Sequence, residues 1–520
     1  MPNEVQSNPS SQIVIDRHFT AGPVSRRLFG SFVEHMGRGV YTGIFEPDHP
    51  TATADGFRGD VLDLVRELGP TVVRYPGGNF VSGYNWEDGV GPARNRPTRL
   101  DGAWHTVESN AFGLHEFVAW AQQAEVEVME AINLGTRGVD SARAIVEYAN
   151  HSHGTQLSDL RRSNGALDPF DIKLWCLGNE LDGPWQIGHK TADEYGRLAQ
   201  EAAKAMRLVD PTIELILSGS SNSTMPTFGS WEYTALGHAY DEVDYVSLHA
   251  YYSERDGDVG SFLASAVDMD FFIESVIATV DAVRAKGRHK KQVNLSFDEW
   301  NVWGFDVSGG QDQPESIAAS GSWHQHPRII ESNYNVTDAV VVGTLLNSLL
   351  RHGDRVKIAN QAQLVNVIAP IRCEPGGASW RQSIFYPFAA MSKLARGHIL
   401  RTVTKGDKYA NALYGDTDLV DVSATWDEDT SRIALFIAHR GLETDVLVEV
   451  DLKGFAVIRV STAEVLRSPH DGNRLMWNDE AMQNRVGLEA LENVTTGKSS
   501  VSLRLPAVSW AVVEIEVTVA

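Results

Sequence analysis

IKLWCLGNE (172–180) decides the fold. It is a short apolar run closing on Gly-Asn-Glu. An amphipathic segment at 191–209 leads from it to a second such run, IELILSGS (213–220). Strand, helix and strand at this spacing make a βαβ unit with parallel strands. The alternation continues in both directions. Strand-like runs occupy 28–35, 71–77, 127–134, 172–180, 213–220, 245–252, 292–300 and 355–364. Helical stretches occupy 56–69, 113–125, 139–151, 191–209, 229–240, 267–287, 337–352 and 381–396. Eight strands and eight helices in strict alternation predict an α/β fold, a (β/α)8 TIM barrel. The competitor, a doubly wound open sheet, carries G-x-G-x-x-G after a strand, and that fingerprint is missing.

Flanking segments read differently. After a polar tail, QIVID (12–16) is a short strand. From about residue 397 short strand-like runs such as LVDVSATWD, RIALFIAHR and AVVEIEV follow one another with few helical stretches. The expected division is a tail and strand in 1–20, a barrel in 21–396 and an antiparallel β-sandwich in 397–520. Within the barrel, 78–111 and 304–334 read as long loops after the second and seventh strands, on the face where barrel enzymes keep their active sites.

Composition narrows the function. The 520 residues carry 45 Lys and Arg against 68 Asp and Glu, a net charge of −23. So acidic a surface repels phosphate backbones and anionic membranes, so neither nucleic acid nor membrane is an expected partner. Two cysteines exclude a disulfide framework. MPNEVQSNPSSQ at the N-terminus has no basic or apolar signal region, and AVVVGTLL (339–346) is too short to span a bilayer. A cytoplasmic protein is expected. Thirteen tryptophans serve mostly core packing, but indole planes also suit the C–H faces of sugars.

Polar residues gather where the strands end. These are Glu34 and His35, Arg74 and Asn79, Asn179 and Glu180, His249, Tyr251 and Tyr252, Asp298, Glu299 and Asn301, and Asn360 and Gln363. Converging acids and amides suit a polyhydroxylated ligand. Glu180 and Glu299 close the fourth and seventh strands, which face each other across a barrel mouth. Glycoside hydrolysis needs such a pair, one a proton donor and the other a nucleophile or base. Arg74 suits an ion pair that holds a carboxylate ionised, and Tyr251 can donate to the nucleophile. His151-Ser-His153 and His324-Gln-His326 have metal-compatible spacing but no third ligand nearby, so no metal is expected.

FGSFVEHMGRGVYTGIFEP, VRYPGGNF, WCLGNELDGPWQIGH, SLHAYY, SFDEWNVW and ANQAQLVNVIAPI together resemble the family 51 glycoside hydrolases, the α-L-arabinofuranosidases. The match runs in order from about residue 12 to 390. The resemblance implies a barrel plus a jelly-roll to which the N-terminal strand is added, assembled as a homo-oligomer, usually a hexamer. It implies a retaining exo-α-L-arabinofuranosidase that needs no cofactor and acts on arabinose-containing oligo- or polysaccharides. Glu180 would be the general acid/base and Glu299 the nucleophile. Glu34, Asn79, Asn179 and Gln363 would bind the furanose hydroxyls, Tyr251 would hold Glu299, and Trp104 and Trp303 would flank the sugar. The alternatives are an endoglucanase or β-xylosidase on the same barrel, or a non-catalytic sugar-binding protein.

Overall fold

The computed structural model describes residues 9–303, 314–469 and 472–520. Strands Gly30–Phe32, Val72–Tyr75, Glu127–Ala131, Leu174–Leu177, Glu214–Leu217, Tyr245–Tyr252, Asn294–Val302 and Val356–Gln361 close into a parallel barrel. The eighth strand lies between the seventh and the first. The main helices between and after them are Gly59–Leu68, Leu114–Ala124, Val139–Asn150, Ala192–Val209, Ser230–Ala239, Ala266–Gly287, Val336–Arg351 and Phe385–Leu394, with the shorter Gln156–Ser163 and Val259–Leu263 beside the third and sixth.

Two-residue periodicity sets which side chains line the lumen. Val72, Met129, Leu174, Cys176, Ile216, Tyr245 and Ile358 pack together inside the barrel. Their neighbours Val73, Tyr75, Trp175, Leu177, Leu215, Leu217 and Val246 belong to the core between barrel and helices. Arg74, two residues beyond Val72, therefore enters the lumen near the mouth.

The seventh strand breaks this register once. Asn294, Leu295 and Ser296 pair with Tyr245, Val246 and Ser247, but Glu299 rather than Asp298 then pairs with His249. One extra residue makes a β-bulge, a device that re-aims side chains beside active sites. It brings both Asp298 and Glu299 to the lumen. Asp298 lies deeper, accepting from Ser296 Oγ and 3.8 Å from the Cys176 thiol.

The loop read at 78–111 contains a hairpin, Arg99–Asp101 with Thr106–Glu108. Three-residue strands are too short to show a period, so the sequence gives no sign of it. Of the loop read at 304–334, residues 304–313 lie outside the described residues. Its later part includes the short helix Pro314–Ala319, and its backbone meets the hairpin where Val107 N–H donates to the His324 carbonyl at 3.0 Å.

A ten-stranded sheet forms the second layer. Its order is Leu488–Ala490, Phe455–Leu466, Ser509–Val519, Arg432–His439, Val420–Asp427, His398–Gly406, Ser10–Pro23, Val446–Lys453, Ser500–Leu505 and Thr495–Thr496. The antiparallel pairing expected of this domain has one exception. Ser10–Pro23, from the far end of the chain, pairs antiparallel with His398–Gly406 but parallel with Val446–Lys453, covering edges both would otherwise expose. Ile433, Leu435 and Ile437 face the sheet's own core, while Ala434, Phe436 and Ala438 face the barrel.

Between the layers runs Val336–Arg351, buried at every position from Val336 to Leu350. Gly343 admits Trp510, whose Cδ1 would lie 2.2 Å from any Cβ placed there. Asn347 and Arg351 reach across to Asp421 at 2.9 and 2.8 Å, and Arg440 joins Asp421 at 2.8 Å. No helix among the described residues is long and apolar enough to cross a membrane.

Candidate active site

Glu299 is held from two sides. Arg74 Nη1 donates to Oε1 at 2.6 Å, and Tyr251 Oη donates to Oε2 at 2.7 Å. Arg74 Nη2 also donates to Asn179 Oδ1 at 2.8 Å, tying Glu299 to the residue before Glu180. Burial would raise the Glu299 carboxyl, but the charges of His249 and Arg74 and the donated hydrogen bonds outweigh it. They hold Glu299 below the usual carboxylate range.

Glu180 follows Gly178 and takes a left-handed backbone with φ +45°. A non-glycine residue pays about 1–3 kcal/mol for such a conformation, and active sites are where that strain collects. Its Oε1 meets His249 Nδ1 at 2.9 Å, and its Oε2 accepts from Trp185 Nε1 at 2.9 Å. Burial, reinforced by the negative Glu299, raises its carboxyl above the ordinary value despite these partners. The two glutamates therefore titrate apart. One oxygen of each and one His249 nitrogen lie within 4.8 Å of one another.

Glu34 builds a second corner. Its Oε1 accepts from Phe80 N–H and Trp104 Nε1, each at 2.9 Å, and its Oε2 faces Gln363 Nε2 at 3.1 Å. Burial, with the Glu299 charge nearby, pushes its carboxyl up to about 8. It does not pair with Arg38 or Arg74 at the rim; Arg38 is engaged by Glu331 at 2.6 Å. Asn79 Oδ1 accepts from Asn179 at 3.3 Å. The Pro-Gly-Gly-Asn turn brings backbone right against both acids. A Cβ at Gly77 would sit 2.6 Å from Glu34 Cγ, and one at Gly78 2.9 Å from Glu299 Oε1.

The fold thus gathers Glu34, Arg74, Asn79, Trp104, Asn179, Glu180, His249, Tyr251, Glu299 and Gln363 at one mouth. Trp303 joins them edge-on to Tyr251, with ring centres 5.3 Å apart. Other polar strand ends serve packing. His35 bridges Glu108 and Tyr75 at 2.9 and 2.8 Å, and Asn301 Nδ2 donates to the Ala362 and Ile368 carbonyls at 2.5 and 2.6 Å. Asn360 points at Met129 Sδ inside the barrel. Trp185 is the member that sequence reasoning missed. An isolated loop tryptophan carries no periodicity, and its only sign is its closeness in sequence to Glu180.

Glu180, His249 and Glu299 also have the spacing of a metal-ligand set. The set does not fit a divalent cation well. Arg74 already places a positive charge at 2.6 Å from Glu299, and Tyr251, Trp185 and His249 occupy the other carboxylate oxygens.

Comparison with known proteins agrees with this geometry. Residues 64–269 match the α-L-arabinofuranosidase 1 domain, and residues 298–509 match the α-L-arabinofuranosidase C-terminal domain. An intracellular exo-α-(1→5)-L-arabinofuranosidase of Streptomyces lividans is 51% identical over 96% of this chain and 74% of its own length. The chain belongs to the family 51 α-L-arabinofuranosidases. Within that family, an exo-α-(1→6)-L-arabinofuranosidase of Bifidobacterium longum is 49% identical over 99% of this chain and 98% of its own. The solved structure of a family 51 α-L-arabinofuranosidase from Bifidobacterium longum superposes with a TM-score of 0.92 at 43% identity. It covers 98% of this chain and 100% of that one. This chain is accordingly an exo-acting α-L-arabinofuranosidase.

Proposed function

We propose that this α-L-arabinofuranosidase works by double displacement with retention. Glu299 attacks the anomeric carbon while Glu180 protonates the departing oxygen. The observation that carries this reading is the pair itself: closest oxygens within 4.8 Å and carboxyls shifted in opposite directions. Such closeness leaves no room for a water between the second carboxylate and the anomeric carbon, as an inverting mechanism needs. Esterification of Glu299 removes a negative charge beside Glu180. Its carboxyl then falls, and it can take a proton from the attacking water. His249, between the two, supplies a compensating charge to whichever glutamate is ionised.

The terminal furanose sits among Glu34, Asn79, Asn179 and Gln363, with Trp104 and Trp303 beside it. Because burial keeps a proton on Glu34 up to about pH 8, it can give a hydrogen bond to a sugar hydroxyl as well as accept one. The linkage is read outside this corner, since relatives of nearly equal identity are named for α-(1→5) and α-(1→6) bonds. The substrates are arabinose-containing saccharides inside the cell, in keeping with the intracellular relative, and the family resemblance favours a hexamer. NMR of the first-formed product tests the mechanism. Retained anomeric configuration is expected, and an inverted first product overturns it. Release of arabinose alone from an arabino-oligosaccharide tests the exo action.

A further inference from the structure

Trp104 is held at both ends by carboxyls. Its indole Nε1 donates to Glu34 Oε1 at 2.9 Å, and its backbone N–H donates to Asp101 Oδ2 at 3.1 Å. Asp101 ends the first strand of the 99–108 hairpin, is 7% exposed, and pairs across the hairpin with Thr106. Its Oδ1 accepts from Ala103 N–H at 3.0 Å and its Oδ2 from Thr106 Oγ1 at 3.4 Å. The side chain thus ties the 101–106 turn together from within. The turn needs such a tie. His105, next to Trp104, takes a left-handed backbone with φ +54°, which costs a non-glycine residue free energy and persists only where its surroundings fix it.

Packing alone does not call for an acid here. The partners of Asp101 are uncharged donors, and the titratable groups facing it are themselves acids, Glu108 on the paired strand and Glu34 at the end of the first barrel strand. Glu108 is in turn bonded to His35 and Tyr41. An asparagine or a serine closes this kind of turn without bringing another negative charge toward the pocket. What a carboxylate adds is acceptance on both oxygens with no donor of its own. The Ala103 and Trp104 N–H groups are then drawn to one side together. That sets the direction in which residue 104 leaves the backbone, and hence where its indole meets Glu34.

We infer that Asp101 is a positioning residue for the terminal sugar, its carboxylate fixing the hairpin turn in the conformation that lays the Trp104 indole beside Glu34. It touches no substrate and acts through Trp104. The inference rests on the reading that Trp104 flanks the furanose. Burial and the Glu108 charge push the Asp101 carboxyl up to about 6 against the pull of the turn's own donors. Above that pH both oxygens accept. Below it one oxygen carries a proton, and an N–H of the turn loses its acceptor.

Asp101→Asn keeps the size of the side chain and the Ala103 contact but turns amide donors toward the Trp104 N–H. On an aryl arabinofuranoside its kcat/KM at neutral pH should fall about tenfold, the worth of one hydrogen bond. A double-mutant cycle with Trp104→Phe locates that loss. With the indole already gone, the same change should cost about twofold or less. An undiminished loss in the double variant overturns the inference while Trp104 keeps its place beside the sugar. Wild-type kinetics in Trp104→Phe overturn that placement, and the inference with it. Thermal melts confirm that the variants fold. The wild type adds a measurement that depends on no variant folding. Its kcat/KM profile should show a shoulder near pH 6, above the acid limb that Glu299 sets, and Asp101→Asn should lack it. A wild-type profile without the shoulder, or a shoulder that persists in Asp101→Asn, overturns the inference.

Discussion

Glu180 and Glu299 reach for the same nitrogen: His249 Nδ1 stands 2.9 Å from Glu180 Oε1 and 3.7 Å from Glu299 Oε2. Neither acid can change its charge without the other's surroundings changing, so the pH profile is a property of the set. In kcat/KM the acid limb reports protonation of Glu299, held low. The alkaline limb reports deprotonation of Glu180, held high.

Tyr251→Phe moves one limb. The phenol donates only to the ionised Glu299, so its loss raises that carboxyl and shifts the acid limb to higher pH. A hydrogen bond to a charged group is worth about 1.5–3 kcal/mol, so kcat/KM near neutrality should fall about ten- to a hundredfold. A full pH–rate profile checks both effects; an acid limb that stays in place contradicts the contact's role.

Glu180→Ala should lower hydrolysis of natural arabinosides about 10²–10⁴-fold, the usual range of general acid catalysis. Aryl substrates with acidic leaving groups should lose less in the first step. Azide should speed the second step and yield an arabinofuranosyl azide. Equal losses on all substrates with no azide product would remove Glu180 from this role.

Arg74→Lys should behave as a severe change. The guanidinium bonds Glu299 and Asn179 at once, at 2.6 and 2.8 Å, and one ammonium cannot span both. A fall in kcat of about tenfold or more is expected, from the loss of one charge-assisted bond. Steady-state kinetics with a thermal melt separate this from unfolding.

Glu34→Gln tests the second corner. The folded carboxyl is raised to about 8 from 4.5. The native state therefore binds a proton that the unfolded chain has lost between those values, and stability falls as pH rises through this window. The amide cannot titrate, so calorimetric midpoints of the variant should decline less between pH 5 and 8 than those of the wild type. Below about pH 8 the amide mimics the protonated acid, so activity on an aryl arabinofuranoside should change little, whereas Glu34→Ala, which takes away the partner of one sugar hydroxyl, should lower it about tenfold.

Asp421→Ala probes the junction of the two layers. It leaves Arg351 and Arg440 facing each other without their shared carboxylate. Removing one member of a buried ion pair costs about 3–5 kcal/mol, readable in denaturant unfolding.

Much of this was legible beforehand because barrel strands and helices are long enough to display their periods. Each of the eight barrel strands falls within a run read from the sequence, apart from a short extension of the seventh to Val302. The acids at their ends followed from where strands stop. Short-range or long-range contacts escaped. The 99–108 hairpin has too few residues for a pattern, Trp185 reveals itself only through its contact with Glu180, and the parallel pairing of Ser10–Pro23 joins segments more than 400 residues apart. His249 was read as a sugar ligand, and its place between two carboxylates depends on register that sequence does not display.

That register has a consequence for how the site can evolve. Which acid stands beside His249 is decided by one surplus residue between Ser296 and Glu299, a matter of counting rather than of side-chain identity. Point substitutions in the flanking strand can weaken packing but cannot trade Glu299 for Asp298. A single-residue deletion between Ser296 and Glu299 only resorbs the bulge and keeps Glu299 in place, but one just after Glu299, with the Asn301–Tyr251 pairing held, draws Asp298 opposite His249 and presents a carboxylate one methylene shorter to the same imidazole. The nucleophile is thus buffered against ordinary mutational drift and vulnerable to length changes, and homologues should vary in composition around the bulge far more readily than in the number of residues it contains.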